Sequence, residues 1–168
     1  MRRLATCFVI VSGLALSSVA QQPPSTDPSE SVFCTFEDGQ QLKVQYSKLP
    51  EKRQEQFREG RIWEPGGSPM VLFTETTLTL GNAVIPEGAY SLYILPQKQN
   101  WILVVNRNVA FGAKYDQTKD LVRSPMQIGQ SDTSITPAQI ALAHVSAKEC
   151  NLRVYYGKSG AWAEFHEK

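Results

Sequence analysis

Apolar and polar side chains alternate along most of the chain in short runs, the period of a strand with one buried face. Over residues 42–46, Leu42, Val44 and Tyr46 alternate with Lys43 and Gln45. A run over 32–36 precedes it, and Asp38-Gly39 between the two supplies a tight hairpin turn. Over residues 70–80, Leu72, Thr74, Thr76, Leu78 and Leu80 share one face, so one strand is predicted there. Gly81-Asn82 and Pro86-Glu87-Gly88 mark turns. Residues 90–95 and 101–105 predict two strong strands split by Pro96-Gln97-Lys98-Gln99-Asn100. The second, Trp101-Ile102-Leu103-Val104-Val105, is apolar at every position and therefore belongs at the centre of a sheet, covered on both faces. Further strands are predicted over 121–128, 152–156 and 161–165.

Two segments break this rhythm. Residues 50–59 are polar and helix-favouring and are stopped by Gly60, which predicts one short surface helix with a solvated charged face. Thr136-Pro137-Ala138-Gln139 has the cap, first-turn proline and Gln of a helix start, and Ala-rich residues follow. Alternation of Ile140, Leu142 and His144 against small residues points to a strand instead. The many short strands elsewhere decide for the strand. The fold class expected is all-β: a single antiparallel β-sandwich, jelly-roll-like, with one short surface helix near residues 50–59. At 168 residues the chain has room for one core of ordinary size.

The N-terminus has a different logic. Met1-Arg2-Arg3 is positively charged, residues 4–19 are apolar with small residues interspersed, and Ser18-Val19-Ala20 fits a cleavage site. The apolar run falls short of the roughly 20 residues that a membrane span needs. Residues 1–20 are therefore expected to be a signal peptide, 21–30 a Pro- and Ser-rich flexible lead, and 31–168 the domain. The mature protein is expected to be periplasmic or secreted, with no membrane span after cleavage. Loss of Arg2 and Arg3 takes the formal charge from +1 to −1, which argues against a nucleic-acid partner. Cys7 leaves too. Cys34 and Cys150 remain, and in an oxidising compartment such a pair predicts a disulfide, with two separate buried thiols as the alternative.

Several segments together carry a resemblance. They are Leu42-Lys43-Val44-Gln45-Tyr46-Ser47, Gly60-Arg61-Ile62-Trp63, and Ile85-Pro86-Glu87-Gly88-Ala89-Tyr90-Ser91-Leu92-Tyr93-Ile94-Leu95-Pro96 with Trp101 after it. Tyr115-Asp116 and Asp120-Leu121-Val122-Arg123 continue the match. The chain resembles the bacterial domain of unknown function 2911 family over roughly residues 32–166. The resemblance implies an exported, β-rich single domain and no established activity. Members of that family commonly carry an arginine after the tryptophan. Here Glu64 stands in that place, so an anion-binding position would become an anion-repelling one.

The chemistry available is limited. The two histidines, His144 and His166, lack metal-ligand spacing, and no metal or other cofactor is expected. No nucleophile elbow is present, and Gly66-Gly67 lacks the Lys-Ser/Thr of a phosphate cradle. No catalytic residue is assigned. Asp116 and Asp120, with Arg123 nearby, would be the carboxylates of a hydrolase, but an Asp-x-x-x-Asp loop more often caps turns. Aromatic residues are plentiful, and those on loops are suited to stacking on sugars or peptides. The candidate ligand-binding residues are therefore Trp63, Glu64, Tyr115, Asp116, Asp120 and Arg123, with the turn Glu64-Pro65-Gly66-Gly67-Ser68 bordering the functional surface. The ligand expected is small and neutral or cationic. The leading function is binding of a small molecule, glycan or peptide. A structural or assembly role in the envelope comes second, and a carboxylate-dependent hydrolase third.

Overall fold

The computed structural model describes residues 29–48, 58–110 and 112–168. Among these residues nine strands form one antiparallel sheet: β1 Ser29–Thr35, β2 Gln41–Ser47, β3 Met70–Thr74, β4 Leu78–Leu80, β5 Ala83–Ile85, β6 Gly88–Pro96, β7 Trp101–Asn106, β8 Asp120–Ser146 and β9 Glu149–Glu167. Their order is β1-β2-β3-β6-β7-β8-β9-β4-β5. β7, apolar from Trp101 to Val105, is thus the middle strand, flanked by β6 and β8. Among the described residues the only helical element is a 3-10 turn, Gln117–Lys119. The surface helix expected over 50–59 falls mostly outside the described residues, and Arg58 and Glu59 are not helical.

Local chemistry sets the hairpins. β1 and β2 pair from Ser29↔Ser47 to Thr35↔Gln41, closed by Gly39 at φ 93°, a backbone region that glycine enters without penalty. The single strand expected over 70–80 is two strands, β3 and β4. Thr74 Oγ1 donates to the Thr76 carbonyl (2.6 Å) and accepts from the Thr76 amide (3.3 Å). This local bonding competes with the ladder and turns the chain. The run 121–128 and residues 137–146 belong to one strand, β8, and 152–156 and 161–165 to another, β9, with 147–148 as the turn between them. The strand alternative for 137–148 is the one observed, as far as Ser146.

β8 changes partner along its length. Its first residues pair with β7, from Asp120 to Met126. From Gln127 onward it pairs with β9. The core gathers side chains from both parts: Leu42, Leu72, Leu92 and Leu103 with Leu152, Val154 and Phe165. β1 contacts β8 although they are not ladder neighbours, and the Glu37 amide donates to the Ala147 carbonyl (3.1 Å). A Cys34–Cys150 disulfide joins β1 to β9 with the Cα atoms 6.2 Å apart.

Candidate functional site

Strand alternation decides which side chains leave the core. Leu92 and Ile94 of β6 and Leu103 and Val105 of β7 point into it. Ser91, Tyr93, Val104 and Asn106 therefore stand on the opposite face. Register aligns Tyr93, Val104 and Arg123 in a row across β6, β7 and β8. Tyr93 is fully buried even so, because the segment between β7 and β8 folds back over it. The Tyr115 ring packs edge-on against Tyr93 with centroids 4.9 Å apart.

That segment is held by a closed polar network. The Arg107 amide donates to the Lys119 carbonyl at its neck (2.9 Å). Asn106 Nδ2 donates to the Asp116 carbonyl (2.8 Å) and to Asp120 Oδ1 (2.7 Å). Asp120 Oδ2 accepts from the Tyr115 hydroxyl (2.7 Å) and from Arg123 Nε (2.8 Å). Arg123 also donates to the Tyr115 oxygen. Burial, then the bond to Asp120, raises the Tyr115 phenol, and the bond to Asp120 raises Arg123. Asp116 caps the 3-10 turn, its Oδ1 accepting from the Thr118 hydroxyl (2.7 Å) and amide (2.9 Å). Those two bonds hold its carboxyl below the usual value. Both aspartates thus serve to pin the loop.

Four of the six sequence-derived candidates, Tyr115, Asp116, Asp120 and Arg123, meet in this loop and its anchor. Trp63 does not join them. Its backbone bridges Ile94 in both directions (2.7 and 3.1 Å), and its ring turns into the core, 3 % exposed. The next residue, Glu64, faces the other way, and its charge is felt by the Tyr93 phenol. Partial burial raises the Glu64 carboxyl. The fold then holds this proton more tightly than the unfolded chain does. Its contribution to stability is complete below the unfolded carboxyl value and is lost as pH rises through the raised folded one. Glu64→Gln is therefore expected to match the wild type in melting temperature near pH ~4 and exceed it near pH ~7. A gap that does not widen between those pH values, followed by differential scanning fluorimetry, contradicts this account.

Two of the cavities among the described residues border the candidate residues. One, of about 310 Å³, is bordered by Pro65 and Gly66 of the predicted turn together with Tyr46, Tyr155, Ala138 and Ile140. Burial and the neighbouring Glu30 push the Tyr46 phenol up to about 12. The other, about 650 Å³, opens where β8 and β9 part. They pair as far as Gln127↔Trp162; beyond it β8 runs beside β7 while β9 pairs with β4. The cleft is lined by Arg123, Gln127, Trp162, Glu164 and His166, with Asn82 of the β4–β5 turn at its edge.

Trp162 lies outside the six sequence-derived candidates. Ala161, Ala163 and Phe165 are buried, which turns Trp162, Glu164 and His166 outward. A tryptophan on the polar side of an alternating strand was the available signal. The edge of its six-membered ring lies against Gly129, where an added Cβ would come within 3.2 Å of Cζ3. Gln127 Nε2 donates to Glu164 Oε1 beside it.

An all-β sheet with a polar, tryptophan-lined cleft at the strand fork is the class of protein these features define. Residues 27–164 match the family model described as "Protein of unknown function (DUF2911)", and the chain belongs to that family. Comparison with curated proteins and with solved structures finds no match.

Proposed function

We propose that this is an exported ligand-binding module, its two sheet halves facing one another as a sandwich and its binding site at the cleft where β8 leaves β9. The observation that carries the reading is the outward, half-buried Trp162 in a cleft of about 650 Å³ among several polar side chains. Pockets of a few hundred Å³ combining an apolar surface with a few polar groups are the usual form of small-ligand sites. The loop-pinning network supports one end, since it fixes Arg123 through Asp120 and Tyr115. The disulfide is compatible with an oxidising compartment. Among the described residues no helix is long and apolar enough to cross a membrane.

A role in envelope assembly is the second reading. It is favoured by the ladder Phe33↔Lys43↔Phe73 across β1, β2 and β3, whose two phenylalanines are 55 % and 39 % exposed with the ammonium between the rings. One experiment separates the two. Protein from the exported fraction, whose N-terminus is expected at Gln21, is screened by thermal shift against glycans, peptides and metal ions. A compound whose stabilisation disappears in Trp162→Ala and persists in Phe33→Ser/Phe73→Ser supports the ligand-binding module. Stabilisation that survives Trp162→Ala, or no stabilisation by any class, overturns it.

A further inference from the structure

We infer that the ligand class of the Trp162 cleft is an uncharged saccharide, an inference that rests on the cleft being the binding site. A sugar ring has two unlike surfaces: faces of C–H groups and a rim of hydroxyls that both donate and accept. A site for it needs an aromatic plane for the face and planar polar groups, of both hydrogen-bonding senses, at the rim.

The cleft has these parts. The Cζ3–Cη2 edge of the Trp162 indole comes against Gly129, so the missing side chain of the glycine gives the ring its room beside the sheet. Aromatic rings commonly cover cross-strand glycines in this way, and here the same indole also lines the cleft. The Gln127 amide and Glu164 carboxylate stand side by side, joined by a hydrogen bond. The Asn82 amide at the β4–β5 turn adds another donor and acceptor. Gln127 and Trp162 are direct cross-strand partners, which places amide and ring next to each other.

Charge excludes the obvious competitor. Among the described residues Arg123 is the only Lys or Arg lining the cleft, and its guanidinium is bonded to Asp120 and Tyr115. Its charge is already matched by Asp120, and Glu164 adds a negative charge. An anionic group would meet repulsion and no spare cation. A cationic peptide would find a carboxylate and an aromatic face, but Gln127 already occupies one oxygen of that carboxylate.

The test uses exported protein and NMR or intrinsic-fluorescence titration with three neutral probes, cellohexaose, chitohexaose and maltohexaose. Polygalacturonate and a lysine-containing tripeptide serve as charged probes. At least one neutral probe is expected to bind. Trp162→Ala should weaken it roughly tenfold or more, and Trp162→Phe by a smaller factor. Gln127→Ala, an exposed substitution, should weaken the same probe and leave the melting temperature unchanged, which guards against misfolding as the cause. Binding of only a charged probe, lost in Trp162→Ala, overturns the saccharide inference while the cleft remains the site. Binding of a neutral probe that both Trp162→Ala and Gln127→Ala leave intact overturns the cleft itself. No binding of any probe overturns the saccharide inference.

Discussion

Opening the Cys34–Cys150 bond is expected to cost about 5 kcal/mol, because the cross-link spans 116 residues and loop-closure entropy grows with that length. The bond ties β1, one end of the strand order, to β9. Without it, β1 is held by its ladder with β2 and by its contact with β8. Both sulfurs lie in the core, so replacement by serine would add the cost of a buried hydroxyl. Cys34→Ala/Cys150→Ala is the cleaner variant. Urea unfolding should show a large fall in midpoint for this variant. Reductant should lower the wild-type midpoint by a similar amount and leave the variant unmoved. A wild-type midpoint that ignores reductant would remove the disulfide from the account of stability.

The strands were legible because each half-buried run writes its own period. Leu42, Val44 and Tyr46 against Lys43 and Gln45 correspond to β2, and the uniformly apolar 101–105 to the central β7. What failed were the places where alternation continues through a break or changes meaning. Thr74, Thr76 and Leu78 keep the period of two across a turn made by Thr74's own hydroxyl, so β3 and β4 read as one strand. β5 is three residues long between two turns and leaves almost no pattern. β8 reads as two strands because the polar run Gly129-Gln130-Ser131-Asp132-Thr133-Ser134 interrupts the alternation where the β8–β9 register shifts between Gln130 and Ile135, and its change of partner from β7 to β9 has no signature in a single sequence. The site shows the same division. Tyr115, Asp116, Asp120 and Arg123 are near in sequence and meet in space. The cleft, in contrast, brings together Asn82, Gln127 and Trp162, which only the topology relates.

The two tryptophans Trp63 and Trp162 should respond to truncation in opposite ways. Trp63 is a candidate for binding from the sequence, yet its ring is buried in the core. It meets Trp101 of β7 edge-on at 5.8 Å and Tyr156 of β9 at 5.6 Å. Removing it would leave a void between strands that belong to different parts of the order, with neither free to collapse while the disulfide and the β8 crossover hold them. Trp63→Ala is therefore expected to lose about 3–5 kcal/mol. Trp162 is only half-buried and its ring edge lies beside a glycine on the outward face, so Trp162→Ala is expected to lose about 1 kcal/mol or less. Chemical denaturation of both variants, read by far-UV circular dichroism so that the lost fluorophore does not interfere, checks the contrast. Comparable small losses would mean that the Trp63 ring does not fill the core, and would return it to the candidates for the binding surface. A severe loss for Trp162 would make its ring a structural cover for Gly129 in place of a platform for ligand.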